Sequence, residues 1–378
     1  MRLIYVMRSL HPVGGIERTI TDKANWLVAS GNEVLFVTYN QGSDDITFHL
    51  DSRVMHVDMG CSIFSLYKYS ILVRIYKFIK LRSSFRHKFA NIIQNFYPDA
   101  IAVPIPNAED FLYDIIKVTN GVRVVIESHV SFDYLLLGKS LTDRLSYIFL
   151  SPFRAIRKAD MLVALTEHDA LNWRQHNVKN VTIIPNPLTF YSDNNGKVPK
   201  IEGRIIAVGR LVTQKRFDRL IEAFSMIADA HQMWHIDIFG DGELHKAMNE
   251  QIKSLGLVNR VVLHPFTSDI MIEYMRSQFL VLSSDYEGFG LVITEAMACG
   301  IPVVSTDCPF GPSDIIENGK TGLLAQMDAG DLAEKIEWMI KNEERRVEMG
   351  INAHLYVRRY DKEQIMPLWE QIYMNLSY

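Results

Sequence analysis

The chain reads as an α/β protein built from two doubly wound parallel-sheet domains, and three observations predict it. Its 378 residues exceed what one core of ordinary size holds and suit two. Apolar runs of strand length alternate with amphipathic stretches of helical period, the pattern of parallel sheets covered by helices. One turn-rich stretch, Pro185-Asn186-Pro187 with Ser192-Asp193-Asn194-Asn195-Gly196-Lys197, breaks the alternation near mid-chain as a linker does.

The first half carries strand-like runs at Leu3–Met7, Val34–Tyr39, Ala100–Val103, Val122–Glu127, Met161–Leu165 and Val181–Ile184. Between the first two, Ile16, Ile20, Ala24, Leu27 and Val28 form a helical stripe. A second series follows at Ile205–Val208, His235–Phe239, Val261–Leu263, Phe279–Leu282 and Pro302–Ser305. The expected domains are residues 1–188 and 200–360, with 361–378 a last helix placed to pack back across the hinge.

Composition narrows the function class. With 48% hydrophobic and 22% charged residues the chain resembles a globular enzyme. Forty basic against 44 acidic residues give a net charge of −4, so no global basic field points to nucleic acid. Cys61, Cys299 and Cys308 have no metal-ligand spacing and are read as reduced thiols. No apolar leader precedes Leu3, and no stretch reaches the ~18 apolar residues of a spanning helix. A cytoplasmic protein, with any membrane contact peripheral, is expected.

The densest signal is the run from Glu287 to Gly300, in which Glu287 and Glu295 flank a glycine-broken loop and a helix start. Gly288 and Gly290 allow backbone N–H groups to approach an anion, and the helix turns its positive end to the same point. A phosphate cradle between two hydroxyl-binding acids suits a nucleotide-sugar. Arg210 and Lys215 follow the strand Ile205–Val208. At a strand's carboxyl end they can neutralise a diphosphate, the alternative being solvated surface charge, to which Arg216 is assigned. Gly14-Gly15 either admits a phosphate or sugar to the first helix's N-terminus or is an ordinary strand–helix turn. His129, just past a strand, either bonds a sugar hydroxyl or is a satisfied structural histidine. No GxGxxG fingerprint or Walker A run exists, which disfavours an oxidoreductase; Gly240-Asp241-Gly242 fails at His245.

From Met59 to Pro98 there is no acidic residue, while Lys68, Arg74, Lys77, Lys80, Arg82, Arg86 and Lys88 supply positive charge among nine aromatics, Phe64 and Tyr67 included. Ile71, Ile75, Phe78 and Ile79 share a helical face opposite Arg74, Lys77 and Lys80, with Arg82 and Arg86 intruding on the apolar stripe. This is an interfacial segment for an anionic membrane surface, with Arg74, Lys77, Lys80 and Arg82 as contacts; the alternative is a basic surface helix with a buried apolar face.

With these residues in place, the whole chain resembles family 4 of the retaining, nucleotide-sugar-dependent glycosyltransferases, whose GT-B architecture has two facing Rossmann-like domains with a cleft between them. The run Glu287–Gly300 with Pro302-Val303-Val304-Ser305 is the most specific part. The resemblance implies that Glu287 contacts the donor sugar, Glu295 the ribose, and Arg210 and Lys215 the diphosphate. Gly288, Phe289, Gly290 and Leu291 would line the pocket with backbone groups, Gly14 and Gly15 would meet the donor, and His129 would sit near the reacting sugar. The family's usual Pro-Asn-Gly-Val hinge reads Pro185-Asn186-Pro187-Leu188 here.

The expectation is therefore a retaining, metal-independent hexosyltransferase at the cytoplasmic membrane face, with a UDP- or GDP-linked sugar as co-substrate and no other cofactor. The absence of an acidic metal-binding cluster in the sequence supports metal independence. Its acceptor would be lipid-linked, a surface polysaccharide or lipopolysaccharide. A nucleotide-sugar epimerase or phosphorylase on the same scaffold, or a non-catalytic donor-binding subunit, are the alternatives.

Overall fold

A computed structural model describes residues 1–63, 66, 68–130, 152–192 and 198–374. The linker residues Asp193 to Lys197, the aromatics Phe64 and Tyr67, and the side chain of Ile71 lie outside the described residues. The chain divides into two compact units, Met1–Pro187 with Glu363–Tyr378, and Leu188–Lys362.

The first unit is a seven-stranded parallel sheet of β1 (Arg2–Met7), β2 (Glu33–Thr38), β3 (Met55–Asp58), β4 (Ala100–Ile105), β5 (Arg123–Ser128), β6 (Met161–Ala164) and β7 (Val181–Ile183). Their spatial order is β3-β2-β1-β4-β5-β6-β7. The helices α1 (Gly15–Ala29), α2 (Ile71–Phe96), α3 (Leu112–Val118), α4 (Pro152–Ile156) and α5 (Glu167–Gln175) connect them. The second unit repeats the plan with six strands: β8 (Arg204–Val208), β9 (His235–Phe239), β10 (Val261–His264), β11 (Phe279–Leu282), β12 (Val303–Thr306) and β13 (Gly322–Ala325), in order β10-β9-β8-β11-β12-β13. Its helices are α6 (Phe217–Ser225), α7 (His245–Ser254), α8 (Ile270–Met275), α9 (Leu291–Ala298), α10 (Pro312–Ile315), α11 (Ala329–Lys341) and α12 (Glu343–Tyr356). The last helix, α13 (Lys362–Met374), belongs from Glu363 onward to the first unit.

The expected α/β class, doubly wound twice, is what the structure contains. Central strands are buried on both faces, β4 along its whole length, which is why they read as unbroken apolar runs. Two strands were not anticipated, β3 and β13, and both are four-residue edges. Met55 and Val57 of β3 are exposed, so no buried run announces that strand.

The two halves of helix α2 differ in burial. Phe85, Phe89, Ile93 and Phe96 of its second half are buried in the sheet's core, and Tyr97 ends it in a left-handed conformation (φ 49°) before Pro98. The first half instead exposes Leu72 (81%), Ile75, Tyr76 and Ile79 (62%). Among the described residues no helix is long and apolar enough to cross a membrane.

In both sheets the strand order reverses once, between β1 and β4 and between β8 and β11. Ligands of open α/β sheets bind outside the strands' carboxyl ends at such a reversal.

Candidate donor site in the second unit

The loops leaving β8 and β11 are bonded together at the reversal. Asp285 N donates to Gln214 O (2.9 Å), Gln214 Nε2 to Tyr286 O (2.9 Å) and Ser283 Oγ to Lys215 O (2.8 Å). These bonds carry Lys215 to Glu287: Nζ lies 2.6 Å from Oε1, which also accepts the Ser284 hydroxyl at 2.6 Å. The loop after β12 closes the other side, with Thr306 Oγ1 donating to Ser284 O (2.8 Å) and Glu287 N to Pro309 O (3.2 Å). The side chains of Lys215 and Glu287 keep 15% and 8% exposure, enough for a ligand to reach them.

Two glycines are there for steric reasons. Gly290 caps α9 with φ 93°, and a Cβ on it would stand 2.9 Å from Ile293 Cδ1. At Gly240 (φ 147°) a Cβ would lie 2.0 Å from Gly209 O, so the turns after β8 and β9 meet backbone to backbone. The first turn of α9 holds no acid and no side-chain cap, which leaves its positive end for an external anion. Arg210 is exposed and makes no ion pair among the described residues. Phe289 is 4% exposed and meets Tyr360 edge-on (5.5 Å, 89°), so it offers the site its backbone rather than its ring, beside Gly288 and Leu291.

Glu295 is 4% exposed in the second turn of α9 and accepts the hydroxyls of Tyr274 (3.0 Å) and Thr189 (3.2 Å). Cys299 and Cys308 are buried beside the two acids. Burial first, then Glu295 and Glu287 respectively, push their thiols well up, so both are unreactive.

Sequence reasoning missed Arg219 and Asp285. Arg219 holds the loop through Ser283 O (2.9 Å) and Asp285 Oδ1 (2.6 Å). Arg216, expected as solvated charge, is corrected: its side chain is 31% exposed, pairs with Asp218 (3.0 Å) and Asp285 (3.2 Å), and heads α6 at φ 47°. No local pattern signals the bonds to Asp285, which lies 66 positions from Arg219 and 69 from Arg216.

The remaining candidates lie in the first unit. Gly14 caps α1, a Cβ there would lie 2.4 Å from Glu17 Oε2, and Gly15 is exposed. Glu17 Oε1 accepts from Asn107 Nδ2 (2.5 Å), which joins the turns after β1 and β4 at that sheet's reversal. His129 follows β5 at the same carboxyl edge; its side chain is 3% exposed and Nε2 lies 3.4 Å from Glu127 Oε2. Glu127 is itself paired with Lys23 (2.6 Å), both side chains at 0% exposure.

Of the four basic residues expected to touch a membrane, three lie on the outward half of α2. Arg74 Nη2 donates to Tyr69 O (3.3 Å), while Lys77 and Lys80 stand over the rings of Tyr69 and Tyr76. Arg82 is corrected. Its Nε donates to buried Asp114 (2.7 Å), with Arg86 3.5 Å from the same carboxylate, and this explains both arginines in the apolar stripe.

Two family models match the chain, one over each unit. The model for Glycosyltransferase Family 4 matches residues 13–189, and that for Glycosyl transferases group 1 matches residues 192–355. An uncharacterized glycosyltransferase of Haemophilus influenzae is 26% identical over 372 residues, 97% of this chain and 98% of that protein. One from Methanocaldococcus jannaschii is 30% identical over 268 residues, 70% of this chain and 71% of its own length. The amylovoran biosynthesis glycosyltransferase of Erwinia amylovora is 28% identical over 275 residues, 67% of this chain and 77% of that one. Among solved structures, Anabaena HepE in complex with UDP and glucose superposes with a TM-score of 0.75 at 20% identity, covering 100% of both chains.

Proposed function

Because the chain belongs to family 4 of the GT-B glycosyltransferases, we propose that it moves a hexose or N-acetylhexosamine from a UDP- or GDP-linked donor to a glycan acceptor. The transfer proceeds with retention at the anomeric carbon and without a metal. The observation that carries this reading is the Lys215–Glu287 pair at the β8/β11 reversal, beside exposed Arg210 and the uncapped start of α9. A departing nucleoside diphosphate gains negative charge, and two cations with a helix N-terminus stabilise it. Glu287 takes the donor sugar's hydroxyls, Glu295 the ribose, and His129 a hydroxyl of the reacting sugar. The amylovoran relative supports a polysaccharide or lipid-linked acceptor, and the UDP and glucose complex of HepE supports a uridine donor.

A second element of the proposal is docking on an anionic leaflet at the inner membrane face. Leu72, Ile75, Tyr76 and Ile79 form an exposed apolar stripe rotated about a quarter of a turn from the buried one on the same helix, with Lys77 and Lys80 beside it. An aliphatic stripe flanked by lysines fits acyl chains and phosphate headgroups.

The deciding experiment is a screen of nucleotide-sugars by thermal shift, followed by transfer in excess chelator and NMR of the product's anomeric centre. An axial donor linkage is expected to stay axial. An inverted product, or activity restored only by a divalent ion, refutes the mechanism; an epimerised sugar formed with no acceptor favours the epimerase instead.

A further inference from the structure

The first unit buries a charged network for which its core has no need. Lys23 from α1 meets Glu127 of β5 at 2.6 Å, and the Tyr373 hydroxyl of α13 donates to the other carboxylate oxygen at 2.5 Å. Tyr5 of β1 shares a hydrogen bond with Tyr373 (2.8 Å), and Lys23 Nζ sits 3.0 Å from the centroid of Trp369. Every one of these side chains is fully or almost fully buried. Apolar residues of similar volume often serve a core as well as a buried ion pair, so stability alone does not call for the arrangement, although breaking the pair is costly. At the sheet's carboxyl edge the network meets His129, whose Nε2 lies 3.4 Å from the carboxylate oxygen that Lys23 holds.

We propose that Glu127 is a positioning residue for His129, fixed by Lys23 and Tyr373 so that the imidazole keeps its proton on Nε2 and presents Nδ1 as a hydrogen-bond acceptor to a sugar hydroxyl. A ring nitrogen's tautomer is set by the bond its other nitrogen makes. Burial lowers the His129 pKa; Glu127 opposes this and Lys23 adds to it, so the ring is neutral at pH 7. Glu127 stays ionised, because Lys23 and His129 outweigh the burial that would raise it. Among the described residues, the groups facing His129 are Lys23 from α1, Glu127 from β5 and, through Glu127, Tyr5 from β1 and Tyr373 from α13. Helix α13 thus takes part in setting His129 through a bond to Glu127 that spans 246 positions of the chain.

The catalytic consequence rests on the transferase reading; the tautomer does not, and the test separates them. Full-length protein labelled with ¹⁵N-histidine is titrated by NMR, with the His129 signal assigned by its loss in His129→Asn. The parent should show a neutral Nε2–H ring near pH 7. Glu127→Gln should lower the His129 pKa, and Lys23→Met should raise it, each by about 1 pH unit. Tyr373→Phe removes one hydroxyl, is the variant least disturbing to folding, and should shift it upward by less. In transfer assays Glu127→Gln should lower kcat at least tenfold with UDP binding intact. Shifts of opposite sign support the proposal whether or not a donor turns over. Identical titration in the folded variants overturns it and leaves the network a packing device; transfer that persists beside identical titration overturns it without touching the transferase reading.

Discussion

Glu287→Gln separates a sugar contact from a diphosphate contact. The exchange keeps shape and removes charge. In the ligand-free protein Glu287 Oε1 accepts from Lys215 and Ser284, both at 2.6 Å. A hydrogen bond to a charged group contributes about 1.5–3 kcal/mol, and the amide oxygen retains part of it, so a loss of up to about 2 kcal/mol is expected. For a domain of this size that lowers Tm by roughly 4–8 °C. Binding should respond differently. A diphosphate draws on the Lys215 ammonium, for which Glu287 competes, so UDP should bind within about threefold of the parent or tighter. Turnover should fall by about 10²- to 10³-fold, the range for losing a preorganised polar group at a reacting centre. Calorimetric titration with UDP and steady-state kinetics with the sugar donor measure the two halves. If UDP affinity and kcat fall together in a folded variant, Glu287 belongs to the diphosphate site and the assignment is wrong.

The other predictions concern separate groups. Glu295→Gln should weaken nucleotide binding by about 1.5–3 kcal/mol with a smaller effect on kcat, and Tyr274→Phe by about 1 kcal/mol, since it only orients the carboxylate; calorimetry reads both. Burial would raise the Glu127 pKa, but Lys23 and His129 together outweigh it and hold the carboxyl down at about 2, below its ordinary 4.5. Its stability contribution is complete above pH 4.5 and is lost as pH falls through 2. The unfolding free energy from denaturant titrations across that window should drop by about 3 kcal/mol in the parent, and much less in Glu127→Gln. Changing Arg74, Lys77 and Lys80 together to Glu should release the protein from anionic vesicles, each charge near the surface adding about 1 kcal/mol at low salt. Arg82→Met should instead lower Tm and spare lipid binding, because it uncouples buried Asp114; equal sedimentation of parent and triple variant would refute the docking face.

What could be read from the residues alone follows the range of the interaction that encodes it. Periodicity and turn chemistry act within a few positions, so the central strands and their helices were legible, while the edge strands β3 and β13, which need no buried run, were not. The Glu287–Gly300 run was legible for the same reason, since loop, glycine cap and helix start are contiguous. The bonds that complete the sites are of another kind. Lys215 finds Glu287 across 72 positions, Lys23 finds Glu127 across 104, and Tyr373 finds Glu127 across 246. In a doubly wound sheet every strand's carboxyl end is brought to one edge, so residues far apart in the chain converge there by topology. Glu127 shows what this costs a reading by pattern. It ends an apolar strand run, where a carboxylate reads as an ordinary terminator, and His129 two positions on reads as a lone histidine. Only the arrival of α1 and α13 turns the two into one unit, and a carboxylate held by a lysine and a tyrosine is a different chemical group from the one the sequence spells.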